Sequence, residues 1–436
     1  MVIISLNDAQ EILRATAAEY LQQRTPAVED VPLVDALNRR VAHNYTCPIP
    51  LPPFNICSSG GYAISSETTK NASPDNPVVF SVKGAMGTGE DPIRLSSKPE
   101  GDIFPCIEIS RGARFPESNE GSVFDACVKV DGKVSGVQKS ESGQIIVTRP
   151  VIPNAYRRMA GDDLPEGQML IEKGQYVRPR HILAMGSTGM ATVQVICKLR
   201  AAVWSAGNDI LNSRVSDGNG PFLTAILRES GVDTDFMGVL NDTTEGFKDA
   251  LQAQMQSPAP YDFLVTNGAM SRRKDDVILP ALAALGATMR FDGVALRPGY
   301  PVLFATVDTR AGILPIFGLT GISNGAAVAA KSLVTPFIRA LRGQAVEQPE
   351  LHRVTLPDHI HPTSLLSQPE SDCFRYGLRK RTGRGEYTVE LQEDASATRL
   401  APLLHSNCWI HVPRGQSALN PGELYRCYPQ SSVSPD

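Results

Sequence analysis

Three turns in the middle of the chain combine glycine with polar or charged side chains: SAGND at 205–209, TNGAMSRRK at 266–274 and GLTGISNG at 318–325. Each follows an apolar run that reads as a buried strand, so Gly207, Gly268 and Gly321 stand where backbone can approach a ligand. Ligands of parallel sheets bind beyond the carboxyl ends of the strands, and anions favour the N–H groups of helix starts. In the second turn Ser271 adds a hydroxyl, and Arg273 and Lys274 add two cations; the bland alternative for 272–274 is a solvated loop. Tyr300 offers a phenol able to act as a general acid or simply to pack. His359 and His361 form an H-x-H, which on a strand puts both imidazoles on one face, yet no third ligand is evident and surface histidines are the better reading. Cys57, in LPPFNICSSGG, has no histidine near it in sequence and reads as a small packing residue rather than a nucleophile.

The elements that must position these groups follow from periodicity. Residues 5–23 space their apolar side chains as an amphipathic helix with Asn7 as its cap, and VPLVDALNRRVA reads as a second, shorter helix. From Cys47 the proline-rich CPIPLPPF must be extended. Residues 60 to about 175 are short β-branched runs between turns (YAIS, PVVFSV, CIEI, ACVKV, IIVT), a β-rich unit. From about 178, strands and helices alternate (RAAVWSAG, the helix opened by Ser216 or Asp217 and stopped by Gly231, TDFMGVL, TEGFKDALQAQM, YDFLVTNGAM, DDVILPALAALG). PVLFATV and ILPIFGL follow as paired strands, and NGAAVAAKSLVTPFIRALRG as a last helix. That alternation predicts a mostly parallel sheet covered on both faces. The remaining stretch returns to short strands, a small barrel or sandwich.

Composition bounds the function. The 436 residues imply about three domains, and 42% hydrophobic with 20% charged residues is an ordinary globular balance. A net charge of −4 lacks the basic excess of a protein held by nucleic-acid phosphates. There is no apolar run long enough to span a bilayer, and MVIISLNDAQEILRAT lacks the basic and apolar regions of a secretory signal. Eight scattered cysteines without a C-x-x-C pair predict reduced thiols in a cytoplasmic protein.

The order of these pieces resembles the molybdopterin molybdenumtransferase family, which includes MoeA and the E domain of gephyrin. LPPFNICSSGGYA is similar to its P-P-F-D-x-S-x-M-D-G-Y-A, RRMAGDDL to R-x-x-G-E-D, and RPRHILAMGSTGMATVQV to the segment before the family's first α/β strand. AAVWSAGNDI resembles V-x-x-S-T-G-D-E-L, VSDGN resembles I-x-D-x-N, and TNGAMSRRKDD resembles S-G-G-V-S-x-G-x-x-D. RPGYP and GLTGISNG resemble K-P-G-K-P and G-L-P-G-N-P. The resemblance runs from about residue 5 to 430 and implies four pieces. These are a helical and β stem (1–59 with 151–177), a β-rich insertion (60–150), an α/β domain (178–343) and a C-terminal β-barrel (344–436). It further implies a homodimer that inserts molybdate into adenylylated molybdopterin with Mg²⁺ assisting.

On that resemblance Asp217 and Asp276 match acidic positions of the family's α/β site and are the candidate metal ligands and catalytic acids. The bland reading of both is helix capping and interaction with the helix dipole. Asp163 matches the Asp of G-E-D, Asp209 replaces the Glu of S-T-G-D-E, and Arg297 replaces the first Lys of K-P-G-K. Other positions depart from the pattern. Gly60 stands where the family has the Asp of M-D-G-Y-A, and Arg111 where it has the Thr of M-T-G-A. Asn208 stands where it has the first acid of D-E, and Ala269 for the second glycine of S-G-G. Arg273, Lys274 and Tyr300 are new at their turns, and Thr320, Ile322 and Ser323 erase P-G-N-P. Two enzyme readings follow: a divergent molybdenumtransferase using the remaining acids and Arg297, or a repurposed cyclase, lyase or transferase of specialised metabolism using Arg111, Arg273, Lys274 and Tyr300. A non-catalytic scaffold is the third reading.

Overall fold

A computed structural model describes residues 3–130, 136–257, 259–268, 277–357, 365–383, 385–392 and 399–430. The chain divides into two compact units, one of 1–27 with 197–436 and one of 28–196.

The first unit is built on a six-stranded sheet whose strands we number β1 (Arg200–Ala206), β2 (Asp233–Leu240), β3 (Phe263–Asn267), β4 (Thr288–Asp292), β5 (Val302–Thr309) and β6 (Gly312–Leu319), in the order β2-β1-β3-β6-β5-β4. β2, β1, β3 and β6 run parallel, whereas β5 is antiparallel to β6 and β4 to β5. The register lines up Val203, Val265, Phe317, Phe304 and Phe291 in one row across the sheet. Ala202, Leu264, Ile316 and Ala305 form the neighbouring row, and because side chains alternate along a strand the two rows face opposite layers. The first row packs against α1 (Leu6–Gln23), α3 (Asn219–Glu229) and α7 (Thr335–Leu341). The second packs against α4 (Thr244–Met255) and α5 (Ile278–Ala284). The remaining helices of this unit are α2 (Asn208–Leu211), α6 (Ser323–Ala329) and α8 (Ala401–Leu404).

The C-terminal part is a closed five-stranded barrel. Its strands β7 (Glu350–Thr355), β8 (Asp372–Arg381), β9 (Tyr387–Leu391), β10 (Cys408–Val412) and β11 (Leu424–Pro429) follow the order β8-β9-β7-β11-β10, and a β10–β8 ladder closes the ring. Two residues, Leu296–Arg297, add in parallel to β8.

Three local features differ from the sequence reading. The cap of α1 is Ser5, which accepts from the Asp8 N–H at 3.1 Å, rather than Asn7. The expected helix from Val31 is instead a strand, Val28–Pro32, paired with Thr192–Ile196, followed by one 3-10 turn at Leu33–Ala36. The last helix is interrupted between α6 and α7 by a π-turn at Ala330–Val334. Pro336 explains the break, because it has no N–H to offer the Ser332 carbonyl. The Gln10 side-chain amide fills that vacancy from α1 at 2.9 Å. Gln10→Ala would orphan this carbonyl, and we expect a loss of about 1–2 kcal/mol in denaturant unfolding.

The second unit carries a six-stranded sheet in the order Val137–Lys139, Ile145–Val147, Val78–Met86, Ile103–Ile109, Gly61–Ile64, Ala126–Val128. Short two-stranded ladders accompany it, one of them pairing Ile56–Cys57 with Arg157–Arg158. The helix Pro179–Ser187 and the strand Thr192–Ile196 also fall within this unit.

Candidate active site

The carboxyl ends of β1, β3 and β6 come level, and amide side chains stitch their turns together. Asn267, the last residue of β3 and 2% exposed, donates to the Thr320 carbonyl at 2.6 Å. Asn219, opening α3, donates both to Asn267 Oδ1 at 3.0 Å and to the Gly321 carbonyl at 2.8 Å. Sequence reasoning quoted both asparagines inside their motifs without assigning them this bridging role. Their signal was position alone: a polar residue closing an apolar strand, and an amide at a helix start.

The glycines act through closeness more than through donation. Gly268 has φ +95°, and a Cβ there would lie 2.4 Å from the Ala206 carbonyl, so only glycine lets β3 leave beside β1. Its N–H is spent on the Leu319 carbonyl (3.0 Å) and that of Gly207 on Leu240 (3.2 Å), contrary to the expectation that both face a ligand. Gly321 lies against Gly268, a Cβ on it being 3.4 Å from the Gly268 Cα. The 297–300 turn joins the same edge, because Gly299 approaches the Gly325 backbone too closely for a side chain.

Asp217 is the acid this edge positions most tightly. Its Oδ1 caps α3 by accepting from the Gly220 N–H at 3.0 Å, while Oδ2 is buried and has no partner among the described residues. The cap and the ligand roles therefore fall to different oxygens of one carboxylate. A second such oxygen, missed in the sequence, is Asp242 Oδ1; the other oxygen of Asp242 accepts from the Asn208 N–H at 2.9 Å. Asp209, by contrast, is exposed and faces Arg214 at 3.4 Å, a solvent-screened pair of little energetic weight. Arg297 donates to Gln368 at 2.6 Å and lies 4.9 Å over the Tyr300 ring, so this cation and phenol form one stacked unit.

Arg111 and Asp163 belong to the second unit. Asp163 pairs with Arg158 at 3.3 Å near the surface. Arg111 is exposed, and its backbone N lies 3.2 Å from where a Cβ on Gly60 would sit. The backbones of positions 60 and 111 are thus neighbours. Cys57 is fully buried, in a cluster with Ala63, Ile109, Ala113, Phe115 and Cys127.

Ser271, Arg273, Lys274, Asp276, His359 and His361 lie outside the described residues. Among the described residues no three His, Cys, Asp or Glu side chains converge as a metal cluster. Mg²⁺ does not require one, since it commonly takes one or two carboxylates, phosphate oxygens and water. The open Oδ2 of Asp217 fits that demand.

A mostly parallel α/β sheet with glycine turns at its carboxyl edge, a β-rich unit and a closed barrel define the MoeA architecture. Residues 4–189 match the family described as the MoeA N-terminal region (domain I and II), and 202–340 match the one described as a probable molybdopterin binding domain. The molybdopterin molybdenumtransferase of Synechococcus elongatus is 29% identical over 431 residues, covering 97% of this chain and 98% of the relative. That of Staphylococcus aureus is 23% identical, covering 92% and 90%. Among solved structures, a molybdopterin biosynthesis MoeA protein from Pyrococcus horikoshii superposes with TM-score 0.77 at 23% identity over 99% of this chain and all of its own. Another from the same organism gives 0.70 at 20% identity over 98% of this chain. The chain belongs to the MoeA family. Among the described residues, no helix is long and apolar enough to cross a membrane.

Proposed function

We propose that this chain is a divergent molybdopterin molybdenumtransferase of molybdenum cofactor biosynthesis, inserting molybdate into adenylylated molybdopterin. The observation that carries this reading is Asp217, with one oxygen capping α3 and the other buried and open, beside turns locked by Asn219 and Asn267. Relatives of that name align over nearly the whole chain. The glycine turns give a pterin or phosphate close access to the backbone, and Arg297 supplies a cation for anionic substrate. Asp217 would hold Mg²⁺ through Oδ2, with Asp276 as the second candidate ligand, and the ion would supply neutralisation of phosphate charge. The reading includes a homodimer acting in the cytoplasm.

One observation favours the second reading, a repurposed enzyme of specialised metabolism. By the resemblance Gly60 replaces a family acid, and Arg111, whose backbone N adjoins Gly60, brings a cation to the same segment. The two readings part in a direct assay with adenylylated molybdopterin, molybdate and Mg²⁺. The molybdenumtransferase releases AMP in a molybdate-dependent way, whereas a folded chain that neither releases AMP nor binds the nucleotide is a repurposed one.

A further inference from the structure

Two cysteine pairs each share a buried cluster, Cys57 with Cys127 and Cys408 with Cys427. Three of the four thiols donate to a backbone carbonyl, Cys127 to that of Val128 at 3.9 Å, and Cys57 is held differently. Cys408 donates to the Gly377 carbonyl at 3.3 Å and Cys427 to the Tyr425 carbonyl at 3.6 Å, so these thiols are held by acceptors that want the proton kept. The contact with Cys408 and burial push the Cys427 thiol well up. Cys57 instead accepts: the Gly60 N–H points at its sulfur from 3.3 Å. The neighbouring Cys127 thiol, the Ser59 N–H and the Lys129 charge all favour a negative sulfur at Cys57. The Cys127 hydrogen bond is the largest of these influences; burial opposes it, and the Cys57 thiol comes down to about 6. The same contact, with burial, pushes the Cys127 thiol up, so Cys57 is the sulfur of the two that is biased toward the thiolate. Gly61 makes the approach possible, since a Cβ on it would sit 2.9 Å from the Cys127 sulfur and 2.1 Å from the Val128 carbonyl.

We propose that Cys57 and Cys127 are a redox dithiol that hydrogen peroxide converts to an intramolecular disulfide. The Cys57 thiolate attacks peroxide, forming S–O and breaking O–O, and the departing hydroxide takes a proton to become water. Cys127 then attacks the sulfenic sulfur, forming S–S and releasing a second water as its proton leaves with the hydroxyl. Two thiols and one peroxide become one disulfide and two waters. Both sulfurs are buried, which restricts the reaction to a small oxidant. The Cys408 and Cys427 thiols each donate to a backbone carbonyl, which favours the protonated form, and they stay reduced because the thiolate is the nucleophile. The disulfide ties the 57–61 turn, beside Gly60 and Arg111, to the Ala126–Val128 strand.

The test treats the folded full-length chain with hydrogen peroxide, then denatures it in excess N-ethylmaleimide and maps unreduced peptides by mass. The expected result is a peptide pair joined through Cys57 and Cys127, lighter by two hydrogens, with Cys408 and Cys427 alkylated. In Cys127→Ser treated with peroxide and then denatured in dimedone, Cys57 should carry the dimedone adduct and no crosslink should form. Alkylation of both Cys57 and Cys127 after peroxide in the unsubstituted chain overturns the proposal, as does a crosslink between Cys408 and Cys427 in their place. The unsubstituted chain decides even where Cys127→Ser does not fold.

Discussion

Asp217→Asn is expected to leave folding unchanged and to lower molybdenumtransferase turnover by about 10²–10³-fold, the usual loss when one electrostatic contact to a reacting group is removed. Oδ1 accepts from the Gly220 N–H as the cap of α3, and asparagine caps as well as aspartate. The oxygen that faces no described partner is Oδ2, so the substitution removes charge where a cation would be held and nowhere else. Thermal unfolding should coincide with that of the unsubstituted chain, while AMP release collapses and extra Mg²⁺ restores little of it. Unchanged turnover with unchanged stability would reduce Asp217 to its capping role. Asp209→Asn is the internal contrast. Its exposed pair with Arg214 predicts a small effect on both readouts.

The largest effect on stability is expected at Phe317. This ring is fully buried, with centroids of Phe304, Phe337 and Phe263 at 4.6, 5.3 and 6.4 Å. It occupies the middle of the sheet row that α1, α3 and α7 cover. Phe317→Ala removes the packing of three neighbours and leaves a cavity that rigid strands on either side cannot close, for about 3–5 kcal/mol. Denaturant titration measures it as a lower midpoint. A loss below about 1 kcal/mol, the scale of a surface change, would mean that this aromatic layer does not hold the sheet. Because β6 ends at Leu319, two residues beyond Phe317, and runs straight into the Thr320–Gly321 turn, the substitution should also weaken substrate binding before the chain unfolds.

The architecture was legible where physics is local. Glycine stops and the alternation of apolar strands with amphipathic helices placed five of the six strands of the α/β sheet, missing the edge strand Thr288–Asp292, and the motif order named the family. Reading failed where a distant partner decides. The apolar spacing after Val31 fits a helix, but the backbone of Val28–Pro32 pairs with Thr192–Ile196, some 160 residues away, which no short window contains. The π-turn depended on Gln10 meeting the carbonyl that Pro336 leaves unpaired. At the site, charge made both Asp209 and Asp217 candidates, and only geometry separates a surface ion pair from a buried, unpartnered oxygen. Neutral Asn219 and Asn267 carried no such signal, although they tie the turns together. Cys57 was read as inert because no histidine lay near it in sequence; its activating groups are backbone N–H donors and the thiol of Cys127, which sequence spacing does not reveal.

The central claim is that the remaining acids and glycine turns still support molybdenum insertion despite Gly60, Arg111 and the altered 318–325 turn. Complementation of a strain lacking its own molybdenumtransferase, read as nitrate reductase activity, tests it most directly. The account predicts restored activity with the unsubstituted chain and its loss with Asp217→Asn. No activity from a folded, well-expressed chain would contradict it, and would assign the sheet-edge site to a different anionic small molecule.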